Sequence, residues 1–346
     1  MLTWRFCRTN GFSTMFAAAV SYGLGQINGS LASWRILFIF VGLITVITAP
    51  VVWYFLDNDV ASARFFDERE KLQAIERLRA NNTGTGSRDF KWSQALEALI
   101  EPKSWLFIAM ALCLNVTAAV TNTFGPLIVG GFGFDPATTS LLNIPFGFVQ
   151  LIVIFPASYL AHRYRVKVIF LEAVMLPVLA GAIMLFLLGR DDTAPLLAAY
   201  YMLAFLFGGN PLIVSWMISN IAGTTKKSVI MSLFNIGVSG GNIIGPLLFN
   251  TDDAPYYKEG LTSTMGITCA LIGVIALQAL NILFLNKRQE RRRVANGKPA
   301  KLHDLSMEHH YTSGAPEADG TTGPRLGENA FKDLTDTQND EFVYVY

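Results

Sequence analysis

An all-α, multi-span membrane protein is the fold class this sequence predicts, on three observations. Hydrophobic residues fill 52% of its 346 positions and charged residues only 15%, against about 25% charged in an ordinary soluble domain. The charges are bunched into short polar segments between long apolar runs. Eight of those runs reach about 20 residues, the length of helix that crosses a hydrocarbon core of ~30 Å. They are apolar on all sides, where strands in lipid would need an alternating pattern and a closed barrel.

The first two spans, near 12–30 and 34–56, make up a region of residues 1–56. A polar segment, 57–103, separates them from the rest. Within it, residues 63–79 read as an amphipathic helix: Phe65, Leu72, Ile75 and Leu78 can share one face, and Asp67 can pair with Lys71 one turn later. Six further spans follow, near 104–125, 139–161, 168–189, 195–217, 227–249 and 262–285, and form a bundle over 104–286. From 287 to 346 the chain is polar and rich in Gly, Pro, Asp and Thr, which predicts a disordered tail. Of the 27 Lys and Arg residues, all but Arg35, Arg190 and Lys258 fall on one side of this arrangement. The positive-inside rule then puts both termini in the cytoplasm. Lys287, Arg288, Arg291, Arg292 and Arg293 stand where the last span meets anionic headgroups of the bilayer.

The net charge of +1 offers no field that would recruit nucleic acid. Three widely spaced cysteines match no metal or disulfide spacing, and no cofactor motif is present. No nucleophile or acid–base constellation argues for an enzyme.

Ionisable residues inside a span are functional candidates, because hydrocarbon penalises them. Glu172 is the clear case, one turn into the fifth span. Arg163, Arg165 and Lys167 are near it in sequence, so either a structural ion pair or a proton site fits; His162 lies at the boundary. Uncharged polar residues are more numerous. Asn115 and Asn122 share a face of the third span; Gln150 and Asn210 lie mid-span in the fourth and sixth; Asn235, Ser239 and Asn242 form a stripe on the seventh. Amides at one depth on four helices can line a polar cavity at the midplane, or each can bond a neighbouring helix. Gly237, Gly241 and Gly245 are spaced by four on the seventh span, as in close helix crossings.

Several stretches resemble the fungal allantoate permease family, the anion:cation symporter branch of the major facilitator superfamily. They are Trp34-Arg-Ile-Leu-Phe38 with Gly42; Ala63-Arg-Phe-Phe66 and Phe90-Lys-Trp-Ser-Gln-Ala-Leu-Glu-Ala98; Asn122-Thr-Phe-Gly-Pro126; Leu141-Leu-Asn-Ile-Pro145; Gly223-Thr-Thr-Lys-Lys-Ser228; Gly241-Asn-Ile-Ile-Gly-Pro246; and Asp333-Leu-Thr-Asp336. The resemblance implies a twelve-helix major facilitator-type bundle, of which these eight spans would be helices five to twelve. It implies proton-coupled uptake of a small organic anion or related solute (ureide, vitamin or carboxylate) at the plasma membrane. Asn115, Asn122, Gln150, Asn210, Asn235 and Asn242 are then the expected substrate-site residues, and His162, Arg163 and Glu172 the expected gating charges. His162-Arg163 stands where the superfamily commonly has Asp-Arg. The alternative expectation is a non-transporting membrane protein on the same scaffold. Self-association with a second copy would be one way to complete a transport path.

Overall fold

A computed structural model of the chain describes residues 8–27, 31–57, 63–71, 89–131, 133–134, 136–189, 192–249, 257–300 and 332–346. Among these the regular structure is helical: α1 (Arg8–Gly25), α2 (Ser33–Phe55), α3 (Trp92–Ile100), α4 (Pro102–Gly130), α5 (Pro136–Tyr164), α6 (Lys167–Leu187), α7 (Thr193–Leu203), α8 (Gly209–Ser219), α9 (Thr224–Leu247) and α10 (Lys258–Ala295). A 3₁₀ segment, Ala204–Gly208, joins α7 to α8 into one span. Among the described residues, seven helical spans, α7 to α8 counted as one, are long and apolar enough to cross a membrane, and they match seven of the eight expected stretches. The remaining one, α1, opens on Arg8, Thr9 and Asn10 and has 18 residues, about 27 Å of helix.

Helix form follows from the solvent, since hydrocarbon leaves no partner for a free N–H or C=O. The 3₁₀ break has a local cause. Pro211 has no N–H to offer the carbonyl four residues earlier, and its ring crowds that carbonyl. The chain tightens just before it, at glycines that the packing requires: a Cβ at Gly209 would stand 2.5 Å from Leu114 Cδ1, and one at Gly208 3.1 Å from Val153 Cγ1.

The chain divides into two compact units. The first comprises Met1–Trp53, Leu106–Ser215 and Phe234–Leu277. Lipid tails are as apolar as leucine, so its helices associate by close packing rather than by escape from water. Small residues set the crossings. At Gly11 of α1 and Gly147 of α5, each Cβ would meet the other's carbonyl oxygen, at 2.6 and 2.8 Å. The Gly237–Gly241–Gly245 stripe of α9 lies on α4, with Cβ positions 3.0, 2.7 and 2.6 Å from the carbonyls of Ile108, Leu112 and Val116. Gly181 of α6 lies in the same way against the Ala199 carbonyl of α7 at 2.7 Å.

The second unit comprises Tyr54–Trp105, Trp216–Leu233 and Gln278–Tyr346. Part of the amphipathic segment expected at 63–79 is visible. Glu70 Oε2 accepts from the Asp67 N–H at 3.1 Å, which marks a helix start; residues 72–79 lie outside the described residues. The expectation of a disordered tail from 287 is corrected for the described residues. Helix α10 continues past 287 to Ala295, and residues 332–346 are packed, with Asp336, Asn339, Phe342 and Tyr344 buried; residues 301–331 lie outside the described residues. Composition misjudged this segment because its polar residues are used against polar partners such as Lys103, Asn220 and Asn286.

Gly241→Val should push the α4 and α9 backbones apart and destabilise the protein by about 1–3 kcal/mol, the cost range of overpacking. Gly273→Ala, with open space around the new Cβ, serves as the neutral control. Thermal unfolding in detergent checks this, and equal midpoints for the two variants would refute the α4–α9 crossing.

Candidate functional site

The first unit contains a partly open cavity of about 150 Å³. Asn10 and Thr14 of α1, Thr121, Asn122 and Pro126 of α4, Asn143, Phe146 and Gln150 of α5, Tyr200 of α7 and Phe207 of the 3₁₀ segment line it. The Gly11–Gly147 crossing brings α1 close enough to α5 for the Thr14 hydroxyl to donate to Gln150 Oε1 at 3.2 Å. The Tyr200 hydroxyl donates to Asn143 Oδ1 at 3.0 Å, and the Asn143 amide is anchored in turn by donating to the Thr139 carbonyl at 3.1 Å. The Tyr200 ring stacks on Phe146 with centroids 4.8 Å apart, and Phe207 meets Phe146 edge-on at 6.0 Å. Gly125 makes room for Tyr200: a Cβ there would lie 2.9 Å from its hydroxyl. The result is an aromatic wall beside amides and hydroxyls. None of the lining residues is Asp, Glu, His, Lys or Arg, so the cavity presents only π-faces and uncharged hydrogen-bonding groups.

Of the residues expected in the site, the structure brings Asn122 and Gln150 together in this cavity. Asn115 is buried at the α4–α9 crossing, its amide donating to the Ala111 carbonyl of its own helix at 2.8 Å. It shares a face with Asn122 by periodicity, but α9 covers that face at Asn115. Asn210 is half-buried and outside the cavity lining. Asn235 and Asn242 are exposed, and the Asn242 amide donates to Val238 O of its own helix at 2.9 Å. Asn143, Phe146 and Tyr200 were not singled out by the sequence. Asn143 stands in an apolar run four residues from Thr139, a spacing that hinted at an anchored amide; Tyr200 read as one aromatic among many.

No ion pair among the described residues joins the expected gating charges to one another. His162 and Arg163 occupy the last turn of α5, and Arg165 makes the turn into α6 with φ 59°. Lys167 is buried and donates to the Ser215 carbonyl at 3.3 Å. No ion pair among the described residues involves Glu172, which is half-buried in α6.

The charge cluster lies in the second unit. Lys226 Nζ, at the start of α9, is 2.8 Å from Glu97 Oε1, 2.8 Å from Glu101 Oε2 and 2.9 Å from Asp336 Oδ1, one carboxylate for each of its three protons. Lys103, in the first turn of α4, pairs with Asp336 Oδ2, lies 3.4 Å from Glu101 and donates to the Asn220 carbonyl at 3.0 Å. The Tyr344 hydroxyl donates to Asp336 at 2.8 Å, and the hydroxyls of Thr335 and Thr337 donate to Glu97. Lys226 and Asp336 are 0% exposed and Lys103 is 1% exposed. The three carboxylates stand within 4.8 Å of one another, close enough for a divalent cation, but the Lys226 ammonium contacts all three. Burial works to raise the Asp336 pKa; Lys103 and Lys226 outweigh it and hold the group down at about 2. Burial and the neighbouring Asp336 carboxylate push the Tyr344 hydroxyl far up, so it stays a donor.

Comparison with known proteins places these features. The description of the Major Facilitator Superfamily matches residues 9–246. The chain is 34% identical over 288 residues to an MFS-type transporter, cnsL, of Penicillium expansum, covering 82% of this chain and 59% of that protein. It is 26% identical to the thiamine pathway transporter THI73 and 25% identical to allantoate permease, both of Saccharomyces cerevisiae, each match covering 97% of this chain and 59% of the relative. The chain thus spans about three-fifths of the length of these curated relatives.

The Asp336 pKa lies below its ordinary carboxylate value, so the stabilisation it confers is complete above the unfolded value near 4 and is lost as pH falls towards 2. Asp336→Asn should flatten that acid limb. At neutral pH it should cost about 3–5 kcal/mol, since it leaves two buried ammoniums short of a carboxylate. Unfolding midpoints of the two proteins at pH 7 and across pH 5 to 2 test both statements; parallel acid limbs would contradict the assignment.

Proposed function

Since the chain belongs to the Major Facilitator Superfamily, we propose that it forms part of a secondary transporter that takes up a small organic anion or related solute, of the ureide, vitamin or carboxylate class, by proton-coupled alternating access. The observation that carries the reading is the cavity lined by Asn122, Asn143, Gln150 and Tyr200 in the first unit. Sites of this kind lie between helices near the midplane in secondary transporters. The named relatives, a thiamine pathway transporter and an allantoate permease, support a small polar solute of that size. The Lys and Arg distribution supports cytoplasmic termini; the plasma membrane is the location an uptake role implies.

The cavity wall narrows the choice of solute. Without a cation it does not clamp a carboxylate; its amides suit ureido, amide or heterocyclic groups, and Phe146 and Tyr200 suit a flat face. A charged end of the substrate, and the group that takes the proton, would be met by residues beyond this lining. The same absence of an acidic lining residue favours the second reading, a membrane protein on this scaffold without transport of its own.

Uptake of a panel of ureides, vitamins and small carboxylates decides between them, in cells that make the chain at verified membrane abundance, with and without a protonophore. Protonophore-sensitive uptake of a panel member supports the transporter; none from the chain or from any longer protein containing it supports the second reading. Gln150→Ala should lower uptake efficiency about 5- to 30-fold, the equivalent of one lost substrate hydrogen bond of roughly 1–2 kcal/mol. Asn242→Ala, outside the cavity, should lower it less. Equal effects would show that the substrate does not use the cavity.

A further inference from the structure

We propose that residues 332–346 form a releasable clasp: a C-terminal peptide, folded into turns over Thr335–Phe342, seated in a receptor groove of the second unit and held there, as one piece, by Asp336. The proposal stands whether or not the chain transports.

The groove recognises the segment as a peptide site recognises a ligand. Asn286 of α10 donates to the Tyr344 carbonyl at 2.8 Å and accepts from the Tyr344 N–H at 3.0 Å. Asn220 makes the same paired contact one residue later, donating to the Val345 carbonyl at 3.0 Å and accepting from its N–H at 2.8 Å. Gln289 Nε2 donates to the Asp336 carbonyl at 2.8 Å. These side-chain amides replace the backbone ladder that a strand would have, so they satisfy the peptide groups of a segment with no regular structure of its own.

Sequence selectivity comes from the charged pin. Asp336 stands between Lys103 and Lys226 and is 0% exposed. It also accepts from the Ala222 N–H at 3.3 Å and from Tyr344 within the same segment, which ties the pin to the amide-bound end. At the other end Asp333 accepts from the Thr224 N–H at 2.7 Å and pairs with Lys91 at 2.8 Å. With Asp336 out, Lys226 keeps Glu97 and Glu101 and Lys103 keeps Glu101, but both buried ammoniums lose a carboxylate, which is costly, and the amide contacts lose their anchor.

Release is feasible because the segment follows the α10 helix at a distance. Helix α10 ends at Ala295, and residues 301–331 connect it to the clasp. The contacts it makes are therefore tertiary in kind, such as Lys103 with Asp336, 233 residues apart. When seated it joins α3, the start of α4, the start of α9 and the end of α10, because its partners come from each: Glu97, Lys103, Lys226 and Asn286.

Hydrogen exchange on the full chain tests the clasp, comparing the unmodified protein with Asp336→Ala and with Tyr344→Phe, which removes only the hydroxyl. In Asp336→Ala, exchange at the Tyr344 and Val345 amides should rise at least about tenfold together with that at residues 335–337, while the spans of α4 and α9 keep their protection. Tyr344→Phe should move the same amides in the same direction by less. A labelled peptide of residues 332–346 should bind the Asp336→Ala chain at least about tenfold more tightly than the unmodified chain, whose groove is filled by a tethered competitor. Three results would overturn the proposal: faster exchange confined to 335–337, loss of protection that spreads equally through α4 and α9, or peptide binding that is absent or equal in the two proteins.

Discussion

In hydrocarbon a peptide group finds partners only in its own helix, and a side-chain polar group finds one only on a neighbour or on its own backbone. Most of what this structure does with polar residues follows from that constraint. Thr117, Thr121, Asn115 and Asn242 turn their donors back onto the preceding helical turn. The polar groups left for other work gather where helices come close. The Gly11–Gly147 crossing is one such place: it draws α1 against α5 and puts Thr14 within reach of Gln150. The cavity is the space beside that crossing, and its amides are held by bonds such as Tyr200 to Asn143.

The second unit meets a different constraint. Here charges are buried, and a buried charge is tolerated only when paired and fully bonded. Lys226 meets three carboxylates with its three protons, and Asp336 receives two ammoniums, a phenol and a peptide N–H. Such a cluster contributes little net energy against an apolar core of the same shape. Its effect is selectivity, because one missing partner strands the others. It therefore specifies which segment of the chain fills the groove, and the C-terminal segment is the one that brings an aspartate, a tyrosine and non-helical peptide groups in the right order.

The two units differ in chemistry. The cavity of the first unit is lined by uncharged amides, hydroxyls and rings. The buried ion pairs around Asp336 are in the second unit. Glu172, the acidic group that stood out in the sequence, belongs neither to that lining nor to those pairs.

Local physics in the sequence determined the helical form, the approximate extent of seven of the eight expected spans and the close-packing role of Gly237, Gly241 and Gly245, because hydropathy and periodicity act within one helix. The tertiary structure decided which faces meet. Asn115 and Asn122 are equivalent by periodicity, and only the course of α9 along α4 buries the first while the second reaches the cavity. Asn143 and Tyr200 became site residues because α5 and α7 bring them within 3.0 Å. The polar C-terminal segment read as disordered because composition counts polar residues as seekers of water. Lys103, Lys226, Asn220 and Asn286 offer it partners from positions more than fifty residues away, and a pairing at that separation leaves no local signal to read.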